Sequence, residues 1–344
     1  MDRPDLNQVA PDVRAYIETL ETELARLRDK NSPPKRAEAP VEASEPPTTL
    51  NVVTISAGGL VKRTPRHFYV RQRRGGMGIF DLEVGEDDRP AYLTIADKSQ
   101  DLLIVSSQVR AFRLPLRDLP ESPVRGRGQW IHDHLSFDDN EKIAVVIPHQ
   151  GHGYMALVTE RGNVRRLRYH FFGENMTPGA ILYDLQEFGP PAMACWSDGQ
   201  SDLFIATQQG RAIRFDEQKI PARGGLGIRL EEGDKIAAVT AVKPDSGVFL
   251  LGADGKGVIR IMSGFNPNKA PGSGGKTAFK TGHLVGAMAI DQADDIFIIS
   301  RLSKIIRFPA AEVSTTEGVV QGVSCMALRG DETVAVTSGG FQSS

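Results

Sequence analysis

Cationic side chains and glycines are concentrated in one short stretch of the sequence. Six basic residues and no acidic one lie between positions 50 and 80: Lys62, Arg63, Arg66, Arg71, Arg73 and Arg74. The same stretch contains QRRGGMG at 72–78, and Asp81 is the first carboxylate after it. Arginine donates paired hydrogen bonds to phosphate oxygens, and glycine lets backbone N–H groups approach an anion closely. The pattern favours contact with the phosphates of a nucleic acid, although a solvated basic loop would have the same composition.

The elements that must position these residues repeat along the chain. Each unit has an apolar strand, a turn of glycine or polar residues, and a second strand that ends near an arginine. The recurring arginines are Arg63, Arg113, Arg166, Arg214, Arg260 and Arg307, which are spaced 46 to 53 residues apart. A period near 50 with several strands per unit is typical of a β-propeller. We therefore expect an all-β domain of six blades over residues 50–338, followed by a tail at 339–344.

Two roles are open for the recurring arginine. A residue found once per blade forms a ring of like groups, and such a ring could bind phosphates around the rim. However, apolar neighbours such as Leu114, Phe215 and Phe308 accompany it. We therefore favour a structural role, in which the arginine pairs with a carboxylate of its blade or packs its aliphatic stem.

The first 49 residues differ from the rest. Apolar side chains recur with steps of four and three at Val13, Ile17, Leu20, Leu24 and Leu27. This pattern predicts an amphipathic, coiled-coil-like helix over 12–30, within an N-terminal segment 1–30. A lone helix of this length is marginal in water, so we expect residues 13–27 to pair with a second copy or another protein. Residues 31–49 contain five prolines, which predicts a disordered linker.

No segment predicts a membrane span, a cofactor site or a metal site. The sequence has no run of about 18 apolar residues and no visible signal peptide. Cys195 and Cys325 lack partners at zinc spacing. APGSGGKT at 270–277 matches a loose P-loop pattern, but a strand-like run follows it where a nucleotide site needs a helix. We expect no cofactor, no metal, no membrane contact and a location in a reducing cytoplasm.

The segment at 72–78 resembles a known motif. QRRGGMG is similar to the QRRGGKG box of the C-terminal domain of the DNA gyrase A protein, and it follows TISAGGLVKRTP in the first of six repeats, as in that family. Degenerate copies are VRGRG at 124–128, PARGGLG at 221–227 and GSGGK at 272–276. The resemblance covers residues 50–338 and implies a six-bladed β-pinwheel whose rim wraps DNA. Met77 replaces the usual lysine, so one phosphate contact is expected to be lost.

The resemblance also implies a set of DNA contacts. They are Gln72, Arg73, Arg74, Gly75, Gly76 and Gly78 in the box (residues 72–78), with Arg125, Arg127 and Arg223 in the degenerate copies. The basic run itself adds Lys62, Arg66 and Arg71 as predicted DNA contacts beside the box. The implied function is binding and bending or wrapping of double-stranded DNA, which influences supercoiling in the bacterial cytoplasm near the nucleoid.

The chain lacks the long domain that carries the catalytic tyrosine of gyrase A, so we expect it to be non-catalytic alone. It would be either a freestanding protein or part of a split type IIA topoisomerase, working with topoisomerase subunits. The alternative is a propeller scaffold that binds proteins and has no nucleic-acid role. Against it, no Trp-Asp signature of the WD-repeat kind recurs, since Trp130 and Trp196 are the only tryptophans.

Overall fold

The computed structural model describes residues 10–31 and 45–339. The chain divides into two compact units, residues 1–43 and 44–344. In the described part of the first unit one helix, Pro11–Asn31, covers the predicted 12–30, and Val13 and Leu20 of the seam are 44% and 46% exposed. Most of the predicted linker and almost all of the predicted tail lie outside the described residues.

The second unit is a six-bladed propeller, as the sequence predicts. The inner strands are Pro90–Asp97, Ile143–Pro148, Pro191–Ser197, Ile236–Val242, Leu284–Ile290 and Thr333–Gly339. The second strands are Leu50–Ser56, Asp101–Ser106, Tyr154–Thr159, Asp202–Thr207, Gly247–Gly252 and Asp295–Ser300. The third strands are Leu60–Pro65, Arg110–Pro115, Asn163–Arg168, Arg211–Asp216, Lys256–Ile261 and Lys304–Pro309. The inner strands of all six blades line one axial channel of about 210 Å³.

The fourth, outer strand of each blade is only two residues long. For blades 1 to 6 in turn the outer strands are Gln129–Trp130, Ala180–Ile181, Gly225–Leu226, Lys276–Thr277, Val323–Ser324 and Ile79–Phe80, and Thr315–Thr316 adds a parallel pairing in blade 5. A further parallel pair joins Leu82–Glu83 to Gly126–Arg127. The remaining helical turns are the 3₁₀ segments Arg66–Phe68, Leu116–Asp118, Ile131–Asp133, Tyr169–Phe172, Glu217–Lys219, Met262–Gly264 and Ala310–Glu312, and the short α-helix Leu185–Phe188.

Each outer strand comes from the next repeat along the ring. Gln129–Trp130 follows the third strand of blade 2 but pairs with Leu60 and Val61 of blade 1. In the same way Ile79–Phe80 follows the third strand of blade 1 and pairs with Lys304 and Ile305 of blade 6. The first repeat therefore closes the ring by adding a strand to the last blade.

The apolar core is divided among the blade interfaces. Six clusters of buried side chains lie between successive pairs of blades, including one in which Val52 and Tyr69 of blade 1 pack with Phe297 of blade 6. Because each sheet is covered on both faces, its central strands are nearly continuous apolar runs. The second strand of blade 6, Asp295–Ser300, is buried along its whole length.

Candidate nucleic-acid interface

The box is a loop of the first repeat that packs on blade 6. The Gln72 N–H donates to the Arg307 carbonyl at 2.7 Å, and the Gly75 N–H donates to the Cys325 carbonyl at 2.7 Å. The Gly76 carbonyl accepts from the Ala327 N–H at 2.9 Å. These backbone bonds attach the loop to the third strand of blade 6 and to the segment that follows the outer strand of blade 5, and they fix where its arginines leave the surface.

The box glycines serve this packing. Gly75 and Gly78 have φ of +75° and +71°, a region that other residues rarely adopt. A Cβ atom on Gly78 would lie 2.6 Å from the Ile305 carbonyl oxygen of the neighbouring strand. The N–H groups of Gly75 and Gly76 already donate within the protein, the latter to the Arg73 carbonyl at 3.3 Å. The expectation that Gly75 and Gly76 offer free amides to phosphate is therefore wrong, because the Gly75 N–H is used in ring closure and the Gly76 N–H closes a turn within the loop.

Lys62 is part of a buried polar network and not of the surface. Its Nζ donates to Asp81 Oδ1 at 2.6 Å and to the Val124 carbonyl, and the side chain has no solvent exposure. The same carboxylate accepts from the Tyr69 hydroxyl at 2.6 Å and from Thr54 Oγ1 at 2.7 Å. Burial lowers the pKa of Lys62, and the Asp81 charge opposes that change. Lys62 is thus withdrawn from the DNA contacts predicted above.

Arg66 is also internal. It is 2% exposed, its guanidinium donates to the Gly339 carbonyl at 3.1 Å, and it pairs with Glu45. Glu45 also lies 2.6 Å from the Arg307 guanidinium. Burial would raise the pKa of Glu45, but its hydrogen bonds and charge interactions with the two arginines together outweigh burial and lower it. The end of the predicted linker is therefore fastened to blades 1 and 6, and Arg66 contacts protein instead of DNA.

Two further arginines of the predicted set reach solvent while holding the loop. Arg71 is partly exposed, and its Nε lies 3.0 Å from the buried Asp295 carboxylate of blade 6. The Arg74 guanidinium donates to the Ser324 carbonyl at 3.1 Å, and its backbone N–H donates to Glu312 at 2.8 Å. The Gln72 side chain is half-buried. These residues orient the box, and part of their hydrogen-bonding capacity is already used.

Arg73 is the box cation with an uncommitted side chain. It is exposed, and its guanidinium makes no hydrogen bond or ion pair with any residue that the structure describes. Its neighbours along the chain are held by blade 6, so the Arg73 side chain projects from a fixed backbone. A preorganised, solvated guanidinium is suited to a phosphate, because it loses no protein partner when it binds.

The first degenerate copy lies beside the end of the box loop. The parallel pairing of Leu82–Glu83 with Gly126–Arg127 joins the two segments, and the Arg125 guanidinium carbon lies 5.8 Å from the Phe80 ring. Arg125 pairs with Glu83 at 3.0 Å in an exposed bridge, and Arg127 is exposed. The structure thus brings Arg125 and Arg127 together with the box.

Arg223 is exposed but belongs to another part of the ring. Its loop precedes the outer strand Gly225–Leu226, which pairs with Asn163–Val164 of blade 3. The box packs on blade 6, on the opposite side of a six-bladed ring. The predicted site therefore divides into a main patch around the box and a separate cation at blade 3.

The recurring arginines have structural contacts, as their apolar sequence neighbours predict. Arg113, Arg214 and Arg307 each donate from Nε to the aspartate that begins the second strand of the same blade: Asp101 at 2.9 Å, Asp202 at 2.7 Å and Asp295 at 2.8 Å. They also donate to carbonyls of the 3₁₀ turn of the next blade, and Arg307 reaches Tyr69 of blade 1 at 3.0 Å. In these three blades the arginine joins neighbouring blades and is not aimed at the rim.

Sequence reasoning did not find two contributors to the main patch. Lys304 begins the third strand of blade 6 and lies 5.6 Å from the Phe80 ring, opposite Phe80 in the pairing. Glu312 holds the box backbone from the same blade. The first residue of each third strand faces an outer strand, so the position of Lys304 in the repeat could identify it as a rim residue. This inference is possible only once it is known that outer strands are exchanged between repeats.

The remaining sequence motifs have structural positions. Lys276 and Thr277 of the P-loop-like segment form the outer strand of blade 4 and do not begin a helix. Across residues 10–31 and 45–339, no three His, Cys, Asp or Glu side chains cluster in a way that could hold a metal ion. In the part of the chain that the structure describes, no helix combines the length and apolar character needed to cross a bilayer.

Comparison with known proteins agrees with the fold. Residues 50–89, 201–243 and 294–337 match the family model of the DNA gyrase C-terminal domain, β-propeller. The propeller belongs to this gyrase family. Among curated relatives, the gyrase A protein of Mycolicibacterium smegmatis is 30% identical over 302 residues, which are 83% of this chain and 36% of the relative. The gyrase A protein of Haloquadratum walsbyi is 28% identical over 340 residues, or 92% of this chain and 40% of the relative.

The chain therefore spans well under half the length of these gyrase relatives. A solved DNA gyrase A C-terminal domain superposes with a TM-score of 0.75 at 22% identity, covering 84% of this chain and 99% of its own. The C-terminal domain of DNA topoisomerase IV gives a TM-score of 0.58 at 20% identity, covering 86% and 94%. At these identities the two structures show the shared gyrase-type propeller fold.

Proposed function

We propose that the propeller binds duplex DNA along the part of its rim that carries the box, and that it bends the duplex there. The observation that carries the proposal is the presentation of Arg73, an exposed guanidinium without a described protein partner on a loop held by blade 6. Arg125 and Arg127 adjoin the end of the same loop. The gyrase relationship supports this use of the surface.

The proposed role is architectural. In it, the propeller supplies DNA binding and curvature, and strand passage belongs to topoisomerase subunits with which it works. Bending a site of 20–30 base pairs costs about 1–6 kcal/mol by elastic estimates, and additional rim contacts offset that cost. Because phosphate contacts release counterions, affinity should fall steeply with salt, and each lost contact should reduce the slope of log K against log salt by about 0.9.

The exposed ion pair of Arg125 does not prevent this residue from binding DNA at the rim. The Arg125–Glu83 bridge is solvent-exposed, and such bridges contribute about 0–1 kcal/mol. Arg125 can therefore exchange Glu83 for a phosphate at little cost. Arg71 differs, because its partner Asp295 is buried, and we expect it to remain with blade 6 when DNA binds.

Paired arginine variants test the proposal. Arg73→Ala should weaken binding to a duplex and reduce the salt slope, and Arg73→Ala with Arg127→Ala should have a larger effect. Arg301→Ala is the matched control, because Arg301 is a partly exposed arginine of a blade 6 hairpin turn that pairs with Glu332 at 3.4 Å. Binding is measured by fluorescence anisotropy over a range of salt, and wrapping by ligation of relaxed plasmid followed by analysis of topoisomers. Equal effects of the Arg73 and Arg301 changes, or no binding at low salt, would overturn the proposal.

A further inference from the structure

The outer strands of four consecutive blades end in an exposed apolar side chain. These residues are Phe80 on blade 6, Trp130 on blade 1, Ile181 on blade 2 and Leu226 on blade 3, with exposed fractions of 54%, 44%, 70% and 39%. We call these four residues the apolar belt. The corresponding residues of blades 4 and 5 are Thr277 and Ser324. The belt thus covers a continuous arc of the rim that includes the main patch around the box.

The belt residues occupy one register position. Each is the second residue of a two-residue outer strand, and each pairs with the first residue of a third strand: Lys304, Leu60, Arg110 and Asn163 respectively. Single exposed apolar side chains are common on protein surfaces and need no explanation. Recurrence at an equivalent position on four adjoining blades is different, because it places the same kind of group at regular intervals around the rim.

Cations frame the aromatic member nearest the box. Lys304 Nζ lies 5.6 Å from the centre of the Phe80 ring, and the Arg125 guanidinium carbon lies 5.8 Å from it. Phe80 itself follows the box by two residues. A ring that is more than half exposed and has two cations close to it fits a ligand with an anionic outside and an apolar inside. Duplex DNA is such a ligand, since an apolar side chain can reach base steps through the minor groove while cations contact the phosphates on either side.

The strand edge argues against a peptide partner at this place. A protein segment that extends a sheet needs a long unpaired edge, and very short edge strands are a common way to prevent such pairing. The outer strands here have two residues each. At Phe80, charge complementarity and edge length together favour the polyanion. The surface beside Trp130 is mixed in charge, with Arg127 and Lys142 near Glu83, Glu86, Asp87 and Asp88, so there the argument rests on edge length and register.

We propose that Phe80 and Trp130 are apolar wedges that enter the minor groove of the bound duplex and localise its bends, and that the apolar belt marks the path of the duplex along the rim. This inference rests on the proposed DNA-binding function and adds the groups that produce curvature. Arginines supply the salt-dependent attraction, while the wedges partly unstack base steps and kink the duplex, as apolar wedges do by about 20–90°. On this basis the arginines control the affinity and its salt dependence, and the wedges control the bend angle of the duplex.

The test separates bending from binding. The double variant Phe80→Ala with Trp130→Ala is compared with Phe171→Ala, which removes a ring of 43% exposure in the 3₁₀ turn of blade 3, away from the outer strands. A second variant, Phe80→Leu with Trp130→Leu, keeps apolar bulk. Bending is read from energy transfer between dyes at the two ends of a short duplex at saturating protein, and affinity from anisotropy over a range of salt. Thermal unfolding confirms that each variant is folded.

We expect the double alanine variant to lose at least about half of the energy-transfer change while the salt slope stays that of the wild type. The leucine variant and Phe171→Ala should retain most of the change. If the wild type binds and bends DNA but the double alanine variant bends it equally, the wedge proposal is overturned and the DNA-binding function stands. If the wild type binds no duplex at low salt, both proposals fail.

Discussion

The Tyr69 hydroxyl donates a hydrogen bond of 2.6 Å to Asp81 Oδ1, and the two residues lie at opposite ends of the box loop. Tyr69 is 1% exposed and Asp81 is also 1% exposed, so this contact closes the base of the loop inside the protein. Lys62 and Thr54 bind the same carboxylate from the sheet of blade 1. Between these fixed ends, the backbone of the box packs on blade 6. The loop that carries the candidate DNA contacts is therefore also the structural connection between the first and last blades.

Removing the Asp81 carboxylate alone should lower the free energy of unfolding more than removing both charges of the Lys62–Asp81 pair. Asp81→Ala leaves the Lys62 ammonium buried without its counterion, and breaking a buried pair in this way costs about 3–5 kcal/mol. The double variant Lys62→Met with Asp81→Asn removes both charges and keeps the volume, so it should be less destabilised. Urea unfolding followed by fluorescence measures both free energies. If Asp81→Ala proved as stable as the double variant, the network would not have the anchoring role described here.

The box glycine Gly78 should be required for folding and not only for DNA contact. Gly78→Ala places a methyl group 2.6 Å from the Ile305 carbonyl oxygen in a backbone conformation with positive φ. An alanine at positive φ costs about 1 kcal/mol before the contact with Ile305 is counted. Gly85→Ala is the matched control, because nothing lies within 4 Å of its Cβ position. A thermal midpoint lower for Gly78→Ala than for Gly85→Ala is expected, and equal midpoints would show that the ring adapts to the methyl group.

The repeat period alone predicts most of the fold. Arginines spaced 46 to 53 residues apart give six units, and apolar strands on both sides of each turn give sheets that must be covered on two faces. The pairing of Arg214 with Asp202 is also accessible from sequence, because both residues recur at fixed positions in one hairpin. These features are local, so the order of residue types along the chain is sufficient to reveal them.

The exchange of outer strands could not be predicted in this way. Phe80 pairs with Lys304, and nothing near either residue indicates a partner more than two hundred positions away. The burial of Lys62 and Arg66 is also not evident from the sequence, although their partners are only 19 and 21 residues away. Their partners Asp81 and Glu45 lie in separate segments, and a basic residue in a strand does not show by its type which way it faces. The predicted DNA contacts therefore include two interior cations as well as the exposed ones.

The contact of Glu45 with Arg66 and Arg307 should make stability depend on pH. The pKa of Glu45 is lowered in the folded protein, so its contribution is present above the pKa of the unfolded chain, about 4.3, and is lost as pH falls through the folded value. Glu45→Gln should lower the free energy of unfolding at pH 7, and its difference from the wild type should shrink below about pH 4. Urea unfolding at several pH values measures this. Glu232→Gln, at an exposed position, is the control, and an effect of Glu45→Gln that does not change with pH would contradict the charge-based account.

The N-terminal helix should associate through its apolar seam. Val13 and Leu20 are about half exposed, and a lone amphipathic helix is marginally stable in water, so burying the seam against a second copy would stabilise it. Leu20→Glu should shift the molar mass of the full chain toward that of the monomer, as measured by light scattering during size-exclusion chromatography. Ala15→Glu adds the same charge to an exposed position off the seam and should leave the mass unchanged. A wild-type chain that is monomeric at every concentration tested would exclude self-association and leave the seam for a different protein partner.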